Sequence, residues 1–257
     1  MIKTAIAAFA FVLTAVATPT AQNGAEVKLL SAAALRHTFG ELLPRFERDT
    51  GRKVNVAYGS VGALTDRLKG GEVADVVIVS DAQMDELQRL GKVVAGTQLD
   101  LARVGVGIFV RKDGPRPDIS SVDAFIRALL AAKAVAYSDP LGGGPAGIYM
   151  AHLMEQLGIS VEMKQKTKLY PPGPLQYESV ANGEADLGFE QVSLILEQPI
   201  VELLGHLPAP IQNYTTFAVG IATSGDQTDS GKALIGFLSS PAAQTLMKAN
   251  GFEFGRD

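Results

Sequence analysis

The sequence predicts an α/β protein of two lobes, each a mainly parallel sheet flanked by helices, joined by two crossing strands that act as a hinge. Three observations carry this. Short apolar or alternating runs repeatedly precede segments whose apolar residues recur at the helical period. Gly, Pro, Asn and Asp punctuate nearly every junction between them. Two longer apolar runs, over 101–110 and 216–222, stand apart as the crossings.

Residues 1–21 are set aside first. Lys3 and Thr4 are followed by AIAAFAFVLTAVA and then by the small, polar TPTAQNGAE, which reads as an export signal cut near Ala21. The apolar run is shorter than the roughly 20 residues a membrane span needs.

The elements then follow in order. Val27-Lys28-Leu29-Leu30 is a short strand, and Leu35, Phe39, Leu42, Leu43 and Phe46 mark a helix from Ala34 to about Thr50, ended by Gly51. Val54, Val56 and Tyr58 alternate as in a strand. Ser60 opens a second helix through Leu68, and Gly70-Gly71 close it. Residues 76–79 form an apolar strand of the buried parallel kind, and Ser80-Asp81 cap a helix over 82–90. After the strand over 101–110, the stretch Lys112-Asp113-Gly114-Pro115-Arg116-Pro117 breaks the chain and a second series begins. It comprises a helix over 121–132, a strand over 134–137, a helix after Pro145, a strand near Lys168, a helix around 178–182 and a strand over 187–189. Pro208-Ala209-Pro210 precede the strand over 216–222, and helices over 229–239 and 241–249 finish the chain. One lobe is thereby expected at 22–103 with 217–257, the other at 104–216.

Composition narrows the chemistry. The 257 residues are 47% hydrophobic and 19% charged, enough for proper cores. The absence of cysteine excludes disulfides, thiolate nucleophiles and cysteine-type metal sites, and three histidines leave little for metals. A net charge of -4 without a basic run gives no footprint for nucleic acid. No GxxxxGK[ST] motif occurs, and Gly105-Val106-Gly107 lacks a third glycine, so nucleotide binding is not indicated. A small molecule is the expected ligand.

In open parallel sheets ligands lie beyond the carboxyl ends of the strands, facing helix N-termini. The loops there are 31–34, 58–62, 80–81, 138–147 and 189–193. Most combine small residues with a helix start, where unpaired N–H groups and the helix dipole favour an anion.

At these loops the chain resembles the periplasmic molybdate-binding family of ABC importers. The matching segments are VKLLSAAAL, GSVGALTDRLKGGEVADVVIVSD, DPLGGGPAGIYMAHLMEQLG, NGEADLGF and LIGFLSSPAAQTLMKANGF, in order over almost all of the mature chain. The resemblance implies a two-lobed periplasmic binding protein fold with one anion in the interlobe cleft. Two serines that hold the anion in that family fall at Ala34 and Val61. A backbone N–H at the family's PAG motif carries over to Ala146, the late loop offers Gly173, and the family's tyrosine position falls at Gln191. Each donor lost to a charged ligand is worth about 1.5–3 kcal/mol, which counts against molybdate.

The replacements point to a small organic di- or tricarboxylate. Arg36 and His37 lie one turn from the lost serine, and an arginine fork pairs with a carboxylate. Ser31, Tyr58, Ser60, Ser138, Tyr149, Glu190, Gln191 and Ser193 are further polar groups near strand ends. Some have plainer readings: Arg36 and His37 as solvated helix residues, Ser60 as a cap and Tyr149 as core. Glu190 directly follows the apolar Leu187-Gly188-Phe189, where surface solvation explains an acid poorly. The expected ligand partner is thus a small anion, with an ABC permease for a transport receptor, no nucleic acid, a monomeric chain and no cofactor. A second function also follows, because some proteins similar to this family are periplasmic aconitate isomerases. Allylic proton transfer needs a base, a proton donor and a cation, for which Glu190 or His37, Tyr58 or Tyr149, and Arg36 are the candidates.

Overall fold

A computed structural model describes residues 26–226 and 228–255; the export signal expected over 1–21 lies outside the described residues. The chain begins with β1 (Glu26–Ala32), a 3-10 turn (Ala33–Leu35) and α1 (Arg36–Thr50). There follow β2 (Lys53–Gly59), α2 (Val61–Lys69), β3 (Val76–Ser80) and α3 (Asp81–Arg89). The long β4 (Leu99–Arg111) leads to α4 (Val122–Ala131), β5 (Val135–Ser138), α5 (Pro145–Gln156), α6 (Ser160–Lys164) and β6 (Thr167–Tyr170). Then come α7 (Leu175–Ala181), β7 (Leu187–Gln191), α8 (Val192–Leu196) and β8 (Val201–His206). β9 (Tyr214–Ile221), α9 (Thr228–Leu238) and α10 (Pro241–Ala249) complete the described chain.

Local chemistry sets these boundaries. The hydroxyls of Ser60, Ser80, Ser121 and Ser240 accept the backbone N–H three residues on, satisfying a donor that a helix start leaves free. Gly51, at φ 69°, ends α1 in the left-handed conformation that glycine adopts without penalty. All five residues of β3 are buried, as expected of a strand covered on both faces.

The strand order is β2-β1-β3-β9-β4-β7-β5-β6, with β8 also paired to β4. β1 is parallel to β2 and β3, and β5 is parallel to β6 and β7; β9 pairs antiparallel with β3 and β4, and β4 pairs antiparallel with β7 and β8. β4 serves both lobes: as far as Gly105 it pairs with β9, and from Val106 onward with β7 and β8. The return passage is the segment between β8 and β9. There the Gln212 carboxamide accepts from the Val106 N–H at 3.1 Å and donates to the Val106 carbonyl at 3.0 Å, doing for one residue what a neighbouring strand would do. A side chain at Gly105 would lie 3.0 Å from that carboxamide.

Three apolar clusters hold the lobes. The first, with Phe39, Phe46 and Phe217, surrounds β1 and β3. The other two cover the two faces of the second sheet. Val106, Ile108 and Val110 point to one with Phe125 and Phe189, and Phe109 points to the other with Tyr177, as strand alternation requires. α8 joins both lobes, with Val192 in the first cluster and Ile195 in the third. The sequence reading has no counterpart to β8, α6 or α8. In β8 the exposed Glu202 and His206 and the half-buried Gly205 leave no clean two-residue alternation. Among the described residues no helix is long and apolar enough to cross a membrane.

Candidate functional site

The loops at the carboxyl ends of β1, β2, β5 and β7 enclose a cavity of about 70 Å³ between the lobes. Its two walls differ. On one side stand Ala32, Ala33, Ala34, Gly59, Ser60, Val61 and Phe217, whose side chains are apolar apart from the Ser60 hydroxyl. On the other stand the polar Ser138, Glu190 and Gln191 with Gly144, Pro145, Pro172 and Leu194.

Glu190 ends an apolar strand and is only 7% exposed. Its Oε2 accepts from Gln176 Nε2 at 2.9 Å and its Oε1 from the Gln191 backbone N–H at 2.9 Å. Burial pushes its carboxyl above the ordinary carboxylate range, and the two hydrogen bonds only partly oppose this. The Ser138 hydroxyl and the Gln191 Nε2 are buried without a hydrogen-bond partner, as is Gln176 Oε1. Buried donors in native folds are rarely left unpaired. Two of them beside one cavity mark a place for an acceptor.

The start of α5 is held close to Ser138 by the absence of side chains. A Cβ at Gly147 would lie 2.1 Å from the Ser138 carbonyl oxygen, and one at Gly144 would lie 3.2 Å from the Ser138 hydroxyl. The positive end of α5 and the Ser138 hydroxyl therefore meet at the cavity. The lobes themselves touch where the Gly62 N–H donates to the Gly143 carbonyl at 3.4 Å.

Of the residues expected from sequence, Ala34, Ser60, Val61, Ser138, Glu190 and Gln191 line the cavity. The Ser60 hydroxyl also caps α2 through the Ala63 N–H. Ser31 is buried behind the wall and donates to the Ala32 carbonyl. Ala146 is buried in the first turn of α5, and Ser193 is buried with its hydroxyl unpartnered, but neither lines the cavity. Tyr149 donates its hydroxyl to the Ile211 carbonyl at 2.8 Å and lines a separate cavity of about 350 Å³ at the cleft rim. Gly173, in the exposed loop before α7, does not line the enclosed cavity either.

Arg36, His37 and Tyr58 lie outside the enclosed cavity. The physical reason is the 3-10 turn: Ala33 and Ala34 take the cavity side, so α1 begins with Arg36 and His37 exposed. The Arg36 guanidinium lies 5.2 Å from the centre of the Tyr58 ring. Burial pushes the Tyr58 phenol up to about 12, against the pull of Arg36 and with a further push from Glu197. The His37 backbone N–H donates to the Glu197 carboxylate at 3.2 Å. Among the described residues no cationic side chain lines this cavity.

Gln176 was not legible as a site residue. α7 begins at Leu175, earlier than the helix expected around 178–182, and this turns Gln176 inward to Glu190. The spacing of the buried Gln176, Tyr177, Ser179 and Val180 was the available signal. Among the described residues no cluster of His, Asp and Glu could hold a metal ion.

Residues 27–253 match a family model described as a bacterial extracellular solute-binding protein. The sequence is 30% identical over 239 residues to an aconitate isomerase of Pseudomonas sp., covering 91% of this chain and 89% of the relative. It is 26% identical over 242 residues to the molybdate-binding protein ModA of Azotobacter vinelandii, covering 90% and 91%. The solved periplasmic molybdate-binding protein of Azotobacter vinelandii superposes with a TM-score of 0.74 at 19% identity, over 90% of this chain and all of that one.

Proposed function

The chain belongs to the family of bacterial extracellular solute-binding proteins, and we propose that its solute is a small organic di- or tricarboxylate held between the lobes. The two-faced cavity carries this reading. A tetrahedral oxyanion is best held by hydroxyl and amide donors on all sides, whereas here one wall carries the apolar side chains of Ala32, Ala33, Ala34, Val61 and Phe217. An organic acid has matching halves: a hydrocarbon skeleton for that wall, and carboxylate oxygens for Ser138, Gln191 and the start of α5. The rim cavity shares Val61 and Pro145 with the enclosed one and gives room to the remainder of a longer acid. As a receptor, the protein would work in the periplasm and hand its ligand to an ABC permease. Calorimetry against trans-aconitate, citrate, molybdate, tungstate and sulfate tests the reading. Carboxylates are expected to bind at micromolar concentration; binding of molybdate or tungstate alone overturns it.

One observation favours a second reading, that of an aconitate isomerase. Glu190 is a buried carboxyl in the cavity whose ionisation burial opposes, the condition of a general base. Ionised Glu190 would take a proton from the methylene carbon beside one carboxylate of trans-aconitate while the double bond shifts. The same carboxyl would then return the proton to the other allylic carbon, leaving cis-aconitate. Ser138 and Gln191 would hold the carboxylate on which negative charge develops. Arg36 and His37, outside the cavity, take no part at the reacting atoms. Absorbance of trans-aconitate incubated with pure protein decides: turnover abolished by Glu190→Gln supports the isomerase, and an unchanged spectrum leaves the receptor.

A further inference from the structure

We propose that the cleft takes up its anion together with one proton, and that Glu190 carries that proton. The inference rests on the receptor reading above, in which the cleft binds its anion without reaction; the isomerase would instead need Glu190 ionised in the complex. Among the described residues, Glu190 is the one acidic side chain lining the cavity, and no Lys, Arg or His lines it. An anion entering this space meets a carboxylate with no cation of the lining between them, at a side chain that is itself buried and so weakly screened by solvent. Protonating Glu190 removes that repulsion and turns an acceptor into an O–H donor.

The surroundings suit both states of the carboxyl. From α7, Gln176 donates its Nε2 to Glu190 while its own buried Oε1 has no partner. A flip of this carboxamide presents an acceptor to a protonated Glu190 in place of a donor to an ionised one. The Tyr177 phenol, also on α7, is held far above its usual value by burial and by Glu190, and Glu197 at the end of α8 adds to this, so Tyr177 stays neutral. β4 sets Gly107 opposite Glu190. Ser138 at the end of β5, and Gly144 and Pro145 at the start of α5, complete the wall without a charge. Burial already opposes the ionised form in the empty cleft, and a bound anion opposes it further. Between the two resulting values, binding draws one proton from solution and the Kd falls about tenfold for each unit by which pH is lowered.

The test is calorimetric titration of the wild-type protein with its tightest binder among trans-aconitate, citrate and molybdate, in buffers of different ionisation heat between pH 5 and 8. The choice of binder reports on the carboxylate reading; the protons counted report on this one, whichever anion binds. About one proton taken up per anion is expected. In Glu190→Gln the uptake is expected to vanish and the Kd at pH 8 to fall towards its wild-type value at pH 5. Equal heats in all buffers for the wild type, or an undiminished uptake in Glu190→Gln, overturns the proposal. If the variant does not fold, the wild-type Kd against pH suffices, and a flat profile from pH 5 to 8 overturns it.

Discussion

Glu190 and Ser138 stand side by side in the cavity, and their chemistry predicts opposite responses to removal. The folded chain holds Glu190's proton more tightly than an unfolded chain would, so its contribution to stability is complete below about pH 4.5 and is lost as pH rises through the raised folded value. At pH 8 the ionised carboxylate costs about 1.4 kcal/mol for every pH unit between folded and unfolded values. Glu190→Gln keeps the shape without the charge. It should melt higher than wild type at pH 8 and level with it at pH 4, and an equal deficit at both pH values would count against a cost of ionisation. Ser138→Ala removes a buried hydroxyl that has no partner, so the empty protein should lose little stability. Anion affinity, in contrast, should fall about 10- to 100-fold, the worth of one hydrogen bond to a charged group, as calorimetry would read. Both residues were legible because each ends an apolar strand. Arg36 and His37 do not line the cavity, because the helix that the periodicity predicts from Ala34 starts at Arg36. The intervening 3-10 turn rotates them to the exposed side, and three consecutive alanines carry no signal for such a turn.

At the scale of elements, the site depends on how closely α5 approaches β5. Gly147 permits that approach, since its missing Cβ would sit 2.1 Å from the backbone oxygen of Ser138, which cannot move aside as a flexible side chain can. Gly147→Ala should displace the start of α5, lower stability by about 1–3 kcal/mol and weaken anion binding at least tenfold. A variant with lowered melting temperature and intact affinity would show that the helix start does not hold the ligand. The elements legible in sequence are those with chemical punctuation: serine caps before α2, α3 and α4, and Gly51 after α1. β8 was not legible because its identity comes from pairing with β4, a contact nearly 100 residues away in sequence that includes a register shift at Ile108 and Phe109. α7 was placed late because Pro171-Pro172-Gly173-Pro174 reads as loop, although Pro174 already accepts the first backbone hydrogen bonds of the helix.

For the whole molecule, the two-lobed fold was legible from the order of strands and helices, but the contacts that bring the lobes together across the cleft were not, because they join residues far apart in sequence. Two such contacts join the lobes. The Glu197 carboxylate accepts from the His37 N–H in the first turn of α1, where the helix dipole favours an acid. Gly62 meets Gly143, and a Cβ at Gly62 would lie 3.2 Å from the Gly143 Cα. Gly143 adopts φ 70°, a left-handed conformation that glycine takes without penalty. Gly62→Val places two further methyl groups in that contact while leaving α2's cap and buried face untouched. The lobes should then close incompletely. Melting of the empty protein should change little, anion affinity should fall at least tenfold, and the radius of gyration at saturating anion, by small-angle scattering, should stay above that of wild type. Equal radii at saturation would mean that the cleft closes without this contact. The loss of affinity would then belong to the cavity wall, where Val61 stands next to the substituted position.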